Sequence, residues 1–169
     1  MRLPAYFVAP AFALLFLLFN ACSDDNGGTG EQTGSAAAAR VLEYPATVHF
    51  KTSHDAQEPS ATVRVAVAES NMARQQGLMN VYEMPEDGGM IFIFDQQQPL
   101  SFWMANTPLS LDMVFVNDEF EIVRIHQNTT PFSQQQYPSG RPALYVVEVH
   151  GGFTARHDIQ EGHFIEFIR

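Results

Sequence analysis

A mainly β domain, a single compact sandwich or partly open barrel with one or two short helices, is what this sequence predicts. Three observations carry that expectation. Short segments alternate apolar and polar residues with period two, the signature of half-buried strands. The run Met90-Ile91-Phe92-Ile93-Phe94 is apolar at every position, as a central strand buried on both faces must be. Helix signals are confined to two short stretches, 70–76 and 151–159. With 46% hydrophobic and 17% charged residues, the 169-residue chain has the composition of a globular domain rather than a disordered one.

In chain order, the first strand covers 47–52, where Val48 and Phe50 alternate with Thr47, His49 and Lys51. The second covers 62–68, with Val63, Val65 and Val67 on one face. Ser70 and Asn71 can cap a short helix reaching Gln76, and Gly77 supplies its left-handed C-terminal cap. Leu78 and Met79 follow as an apolar clamp, and Pro85-Glu86-Asp87-Gly88-Gly89 makes a turn into the central strand. Phe102-Trp103-Met104 is a short apolar piece after Pro99. Residues 109–116 form a strand that Asn117-Asp118-Glu119 turns into a partner at 121–126, a hairpin. Residues 127–142, with three prolines and four glutamines, read as a long irregular connection. Residues 144–150 form a strand, 151–159 one helical turn or two, and 163–168 the last strand.

Four motifs occur in order along these elements. They are Gly77-Leu78-Met79, Gly89-Met90-Ile91-Phe92-Ile93-Phe94, Phe102-Trp103-Met104-Ala105-Asn106-Thr107 and Leu111-Asp112-Met113-Val114-Phe115. With Ala143-Leu144-Tyr145-Val146-Val147-Glu148-Val149 and Gly162, the stretch 46–169 resembles the family called domain of unknown function 192 (DUF 192). The resemblance implies a compact, mostly β single domain and no established activity. Ala105 departs from the family, which more often carries a basic residue there.

Ahead of this domain the chain has a different character. Arg2 precedes an apolar run over 3–19, and Asn20, Ala21 and Cys22 follow. A short basic start, an apolar stretch and a small residue before a cut site describe a secretory signal. Leu18-Phe19-Asn20-Ala21-Cys22 resembles a bacterial lipobox, in which the cysteine becomes the lipidated first residue of the mature protein. Cys22 is the only cysteine, so no internal disulfide can form. The small, polar and glycine-rich residues that follow cannot bury apolar area and read as a tether with a reach of about 25 Å. The expected organisation is a signal peptide at 1–21, lipidated Cys22 and tether at 22–43, and the β domain at 44–169. The expected location is the cell envelope, at the outer membrane facing the periplasm or the exterior, held there by the lipid.

Lys+Arg 9 against Asp+Glu 19 gives a net charge of −10, which disfavours nucleic acid and a polybasic membrane patch. No Gly-x-Ser-x-Gly, phosphate loop or dinucleotide fingerprint is present. His150, His157 and His163 match no compact zinc spacing, and neither a metal nor a cofactor is expected. Asp112 and Glu148 each interrupt an apolar run and need a partner or a raised pKa. Either accepts backbone N–H bonds or pairs with an arginine such as Arg74 or Arg124, or the two flank a cleft and do acid–base work. Trp103, Asn106 and Thr107 place an indole, an amide and a hydroxyl close to Asp112, groups that can grip a sugar-like or amide-bearing ligand. The reading is a non-catalytic binding or assembly module whose ligand rim comprises Trp103, Asn106, Thr107, Asp112 and Glu148. Its partner is a small molecule, a glycan or a protein. Two alternatives stand beside it: a carboxylate-dependent enzyme acting on envelope carbohydrate, and a copper-binding protein using the methionines between Met72 and Met113.

Overall fold

The structure, a computed structural model, describes residues 39–169. The signal segment, Cys22 and the tether as far as residue 38 lie outside the described residues. The chain forms β1 (Ala46–Lys51), β2 (Ala61–Ala68), α1 (Asn71–Gln76), β3 (Gly88–Phe102), β4 (Leu111–Val116), β5 (Ile122–His126), β6 (Tyr137–His150), α2 (Phe153–Arg156) and β7 (Phe164–Ile168).

All seven strands belong to one sheet in the order β5-β4-β6-β3-β2-β1-β7. Each neighbouring pair is antiparallel except β2 and β3, which run parallel. A parallel pair needs a crossover, and α1 with the loop behind it provides one. The sheet curls until its two ends meet. Glu121 bridges Phe164, the Ile122 N–H donates to the His163 carbonyl at 2.7 Å, and the Ile165 N–H to the Phe120 carbonyl at 2.9 Å. The result is a mainly β half-barrel, the second of the two architectures expected.

Curling creates two cores, one on each side of the sheet. The inner core takes side chains from every strand, among them Phe50, Val65, Ile91, Val114, Val149 and Ile165. The outer core sets Ala68, Met90, Phe92, Met113 and Val146 against Leu78, Val81 and Met104 from the connecting segments. Both faces of β3 and β6 are therefore covered, which is why residues 90–94 are apolar throughout: Ile91 points inward while Met90 and Phe92 point outward. Met84, Met90, Met104 and Met113 are all buried in the outer core. Packing thereby accounts for these four methionines, while Met72 is exposed and Met79 is half-buried.

The local signals act as expected. The Ser70 side chain accepts from the Ala73 N–H, and Gly77 ends α1 at φ +45° with its own N–H on the Ala73 carbonyl. Asn117 Oδ1 closes the β4–β5 hairpin by accepting from the N–H groups of Glu119 and Glu121. One stretch differs. Residues 137–142, expected as irregular, are the start of β6 and pair with the far end of β3 through Phe102↔Tyr137, Ser101↔Pro138 and Pro99↔Pro142. Here the two strands run past the sheet body as an arm with no third strand beside it. The prolines are tolerated because no neighbour demands their missing N–H. Packing also starts ahead of Tyr44. Arg40 Nη1 donates to the carbonyls of Gly77 and Met79 at 2.8 and 3.1 Å, and Leu42 lies on the outer core.

Candidate functional site

Glu148 sits near the end of β6, opposite Met90 on β3 and Met113 on β4. Its neighbours Val147 and Val149 enter the inner core, so the alternation of the strand turns Glu148 to the outer side. It is 4% exposed, burial is the one influence on its carboxyl, and that carboxyl keeps a little solvent access through the space it lines rather than being sealed in the core. Neither expected arginine reaches it: Arg74 pairs with Asp95 at 3.7 Å and Arg124 with Glu161 at 3.7 Å. Burial alone pushes its carboxyl up to about 8, so the group is mostly neutral at pH 7. Gly89 permits this arrangement, because a Cβ there would stand 2.7 Å from the Glu148 carbonyl oxygen.

Glu148 opens into a cavity of about 670 Å³ on the outer side of the sheet. Its walls are apolar: Leu78 and Met79 after α1, Phe92 and Phe94 on β3, and Phe102 and Trp103 where β3 ends. The aromatic wall is locked edge-to-face, Phe92 on Phe102 at 5.0 Å and Phe102 on Phe115 at 5.7 Å. Gly77 brings the loop onto this wall. A side chain there would meet the Phe92 ring at 3.2 Å from a backbone already at positive φ. Trp103 is half exposed at the mouth, whereas Thr107 is buried and donates to the Ala105 carbonyl at 3.4 Å. Arg74 on α1 also lines the space, but its charge is committed. It donates to the carbonyls of Glu69 and Ile93 and to Asn71 Oδ1, and it lies over the Phe94 ring at 5.1 Å.

The expected rim therefore divides. Trp103, Thr107 and Glu148 line one cavity; Asn106 and Asp112 do not. Asn106 is an exposed turn residue at φ +56° whose carbonyl accepts from the Asn80 N–H at 2.9 Å. Asp112 pairs with Val149, one register position from Glu148, and so projects from the opposite face of the sheet. There it is fully buried and saturated. Oδ1 accepts from the N–H groups of Asn128 and Gly152 at 2.8 and 2.9 Å, and Oδ2 from the Thr154 N–H and hydroxyl at 2.9 and 2.7 Å. Asp112 thus fastens α2 and the loop after β5 to β4. The two acids cannot flank one cleft, which corrects the expectation behind a paired-carboxylate enzyme.

The other cavity walls, Leu78, Met79, Phe92, Phe94 and Phe102, were legible only as an apolar clamp and as strand residues. Among the described residues no three His, Cys, Asp or Glu side chains gather to hold a metal ion. His150 Nε2 lies 2.9 Å from the Met84 carbonyl, His157 packs on Phe153, and His163 Nδ1 accepts from the Gln160 N–H.

Two solved structures resemble this one along most of its length. A protein of Sinorhizobium meliloti 1021, described as a "putative transcription regulator", is 30% identical with a TM-score of 0.68, over 76% of this chain and 98% of that one. A protein of unknown function from Novosphingobium aromaticivorans DSM 12444 is 28% identical with a TM-score of 0.66, over 81% of this chain and 99% of that one. No curated protein matches the chain. The family model DUF192, described as "Uncharacterized ACR", matches residues 51–167, and the chain belongs to that family.

Proposed function

We propose that this domain is a non-catalytic binding module for a small molecule, which occupies the outer cavity and is anchored on Glu148. The supporting observation is a desolvated carboxyl, with no basic side chain paired to it, at the wall of a space lined by apolar and aromatic side chains. Burying such a group unpaired is costly, and a ligand that supplies the partner recovers that cost. The cavity also has the size and character of small-molecule sites, which are mostly apolar, largely pre-formed and carry few polar groups. Acid–base catalysis by a carboxylate pair is disfavoured, because no second acid lines the space. The regulator description of the Sinorhizobium protein is not carried over, since 9 basic against 19 acidic residues suit no nucleic acid. The apolar run over 3–19 and Cys22 further support an envelope lipoprotein, held at the outer membrane by its lipid.

The test is saturation-transfer NMR with a mixture of small aromatic and aliphatic fragments, on the full chain and on Met79→Trp. The larger side chain fills the cavity from a half-buried wall position. Fragment signals from the parent that vanish in the variant are expected. Equal signals from both, or silence from the parent, overturn the proposal.

A further inference from the structure

We infer that the ligand is an amine, its ammonium group seated on Glu148 and its hydrocarbon body against Phe92, Phe102 and Trp103. This rests on the cavity being the binding site. The charge inventory of the cavity carries the inference. Glu148 is its one acidic side chain and Arg74 its one basic side chain. Arg74 is already engaged by Asp95, two carbonyls and Asn71. An anionic ligand would therefore find a carboxyl and no available cation. An ammonium group finds a carboxylate and aromatic faces, both of which attract a desolvated cation.

The groups packed around Glu148 do not compete. Met90 and Met113 stand beside it on β3 and β4, and Phe92 shares its side of the sheet. His150, two residues along β6, is held at the Met84 and Pro85 carbonyls. The Thr107 hydroxyl keeps lone pairs to accept a second ammonium N–H. The net charge of −10 also raises the local concentration of cations around the protein.

The proton balance gives the inference a readout. In the empty site burial holds the Glu148 proton. When R–NH₃⁺ binds, the carboxyl ionises to pair with it and one H⁺ leaves to solvent; no covalent bond to the ligand forms. Affinity therefore rises about tenfold per pH unit below about 8 and flattens above it.

Trp103, the sole tryptophan of the chain, stands at the cavity mouth and reports occupancy by fluorescence. Three probes of one shape and different charge are titrated into the full chain at pH 6, 7 and 8: 2-phenylethylammonium, 2-phenylethanol and 3-phenylpropanoate. The expected result is an amine affinity that climbs about tenfold from pH 6 to 7. At pH 8 the alcohol and carboxylate bind at least tenfold more weakly than the amine, on the order expected for losing a charge-assisted bond. In Glu148→Gln, with folding confirmed by its thermal transition, the preference for the amine disappears. If at pH 8 the alcohol binds as tightly as the amine, or Glu148→Gln leaves amine affinity unchanged, the amine assignment falls while the cavity stands. If none of the three perturbs Trp103, both fall.

Discussion

Glu148→Gln exchanges an ionisable carboxyl for an amide of nearly the same shape, at a position 4% exposed. The carboxyl ionises at about 4.5 in the unfolded chain and at about 8 in the folded one. Between those values the unfolded state has released the proton and the folded state keeps it. The folded state thus binds more protons, and stability falls as pH rises through this window. Below about 4.5 the contribution is fully present; above about 8 its loss is complete. At 1.36 kcal/mol for each pH unit, the window is worth roughly 5 kcal/mol, a third or more of the stability of an ordinary domain. Glutamine has no proton to hold, so its curve lacks this slope. Urea unfolding of the full chain and of Glu148→Gln at half-unit steps from pH 4 to 8.5 measures the gap directly, other titrations cancelling in the difference. The two should nearly coincide at pH 4 and diverge steadily, the variant becoming the more stable by pH 8. Curves that stay parallel would refute the reasoning, because Glu148 would then ionise as freely in the fold as outside it.

Asp112→Asn should behave in the opposite manner. Its amide nitrogen cannot accept, so the Thr154 N–H is left facing a donor while the Thr154 hydroxyl must turn to accept, at a cost of about 1–3 kcal/mol; a loss under about 1 kcal/mol in the same unfolding assay contradicts the fastening role. Cys22→Ser should release the protein from the membrane fraction or block its maturation, and a variant that matures normally and stays membrane-bound contradicts lipidation.

Much of the fold was legible because its signals are local. Ser70 and Gly77 bracket α1 through bonds to residues three or four positions away, and Asn117 closes its hairpin within four residues. Period-two alternation marked β1 and β2, and the unbroken apolar run 90–94 marked a strand covered on both sides. The four family motifs fall on these same elements. The arm was illegible because Gln96, Gln97 and Gln98 are exposed and alternate nothing, and its other half carries prolines. It is a strand only through its partner.

The sequence alone identified the unusual acids, Asp112 and Glu148, by their apolar surroundings. Which of them faces an open space, only the tertiary structure decided. Alternation assigns faces when one side of a strand is polar. In β4 and β6 both sides are covered, so the pattern has no phase to mark inner from outer. Register across the sheet settles it, setting Asp112 opposite Val149 and Glu148 opposite Met113. One acid then meets four donors brought from α2 and the loop after β5, and the other meets none. The surroundings of a buried charge come from segments distant in sequence, and those distant segments make one carboxylate a structural fastener and leave the other free to bind.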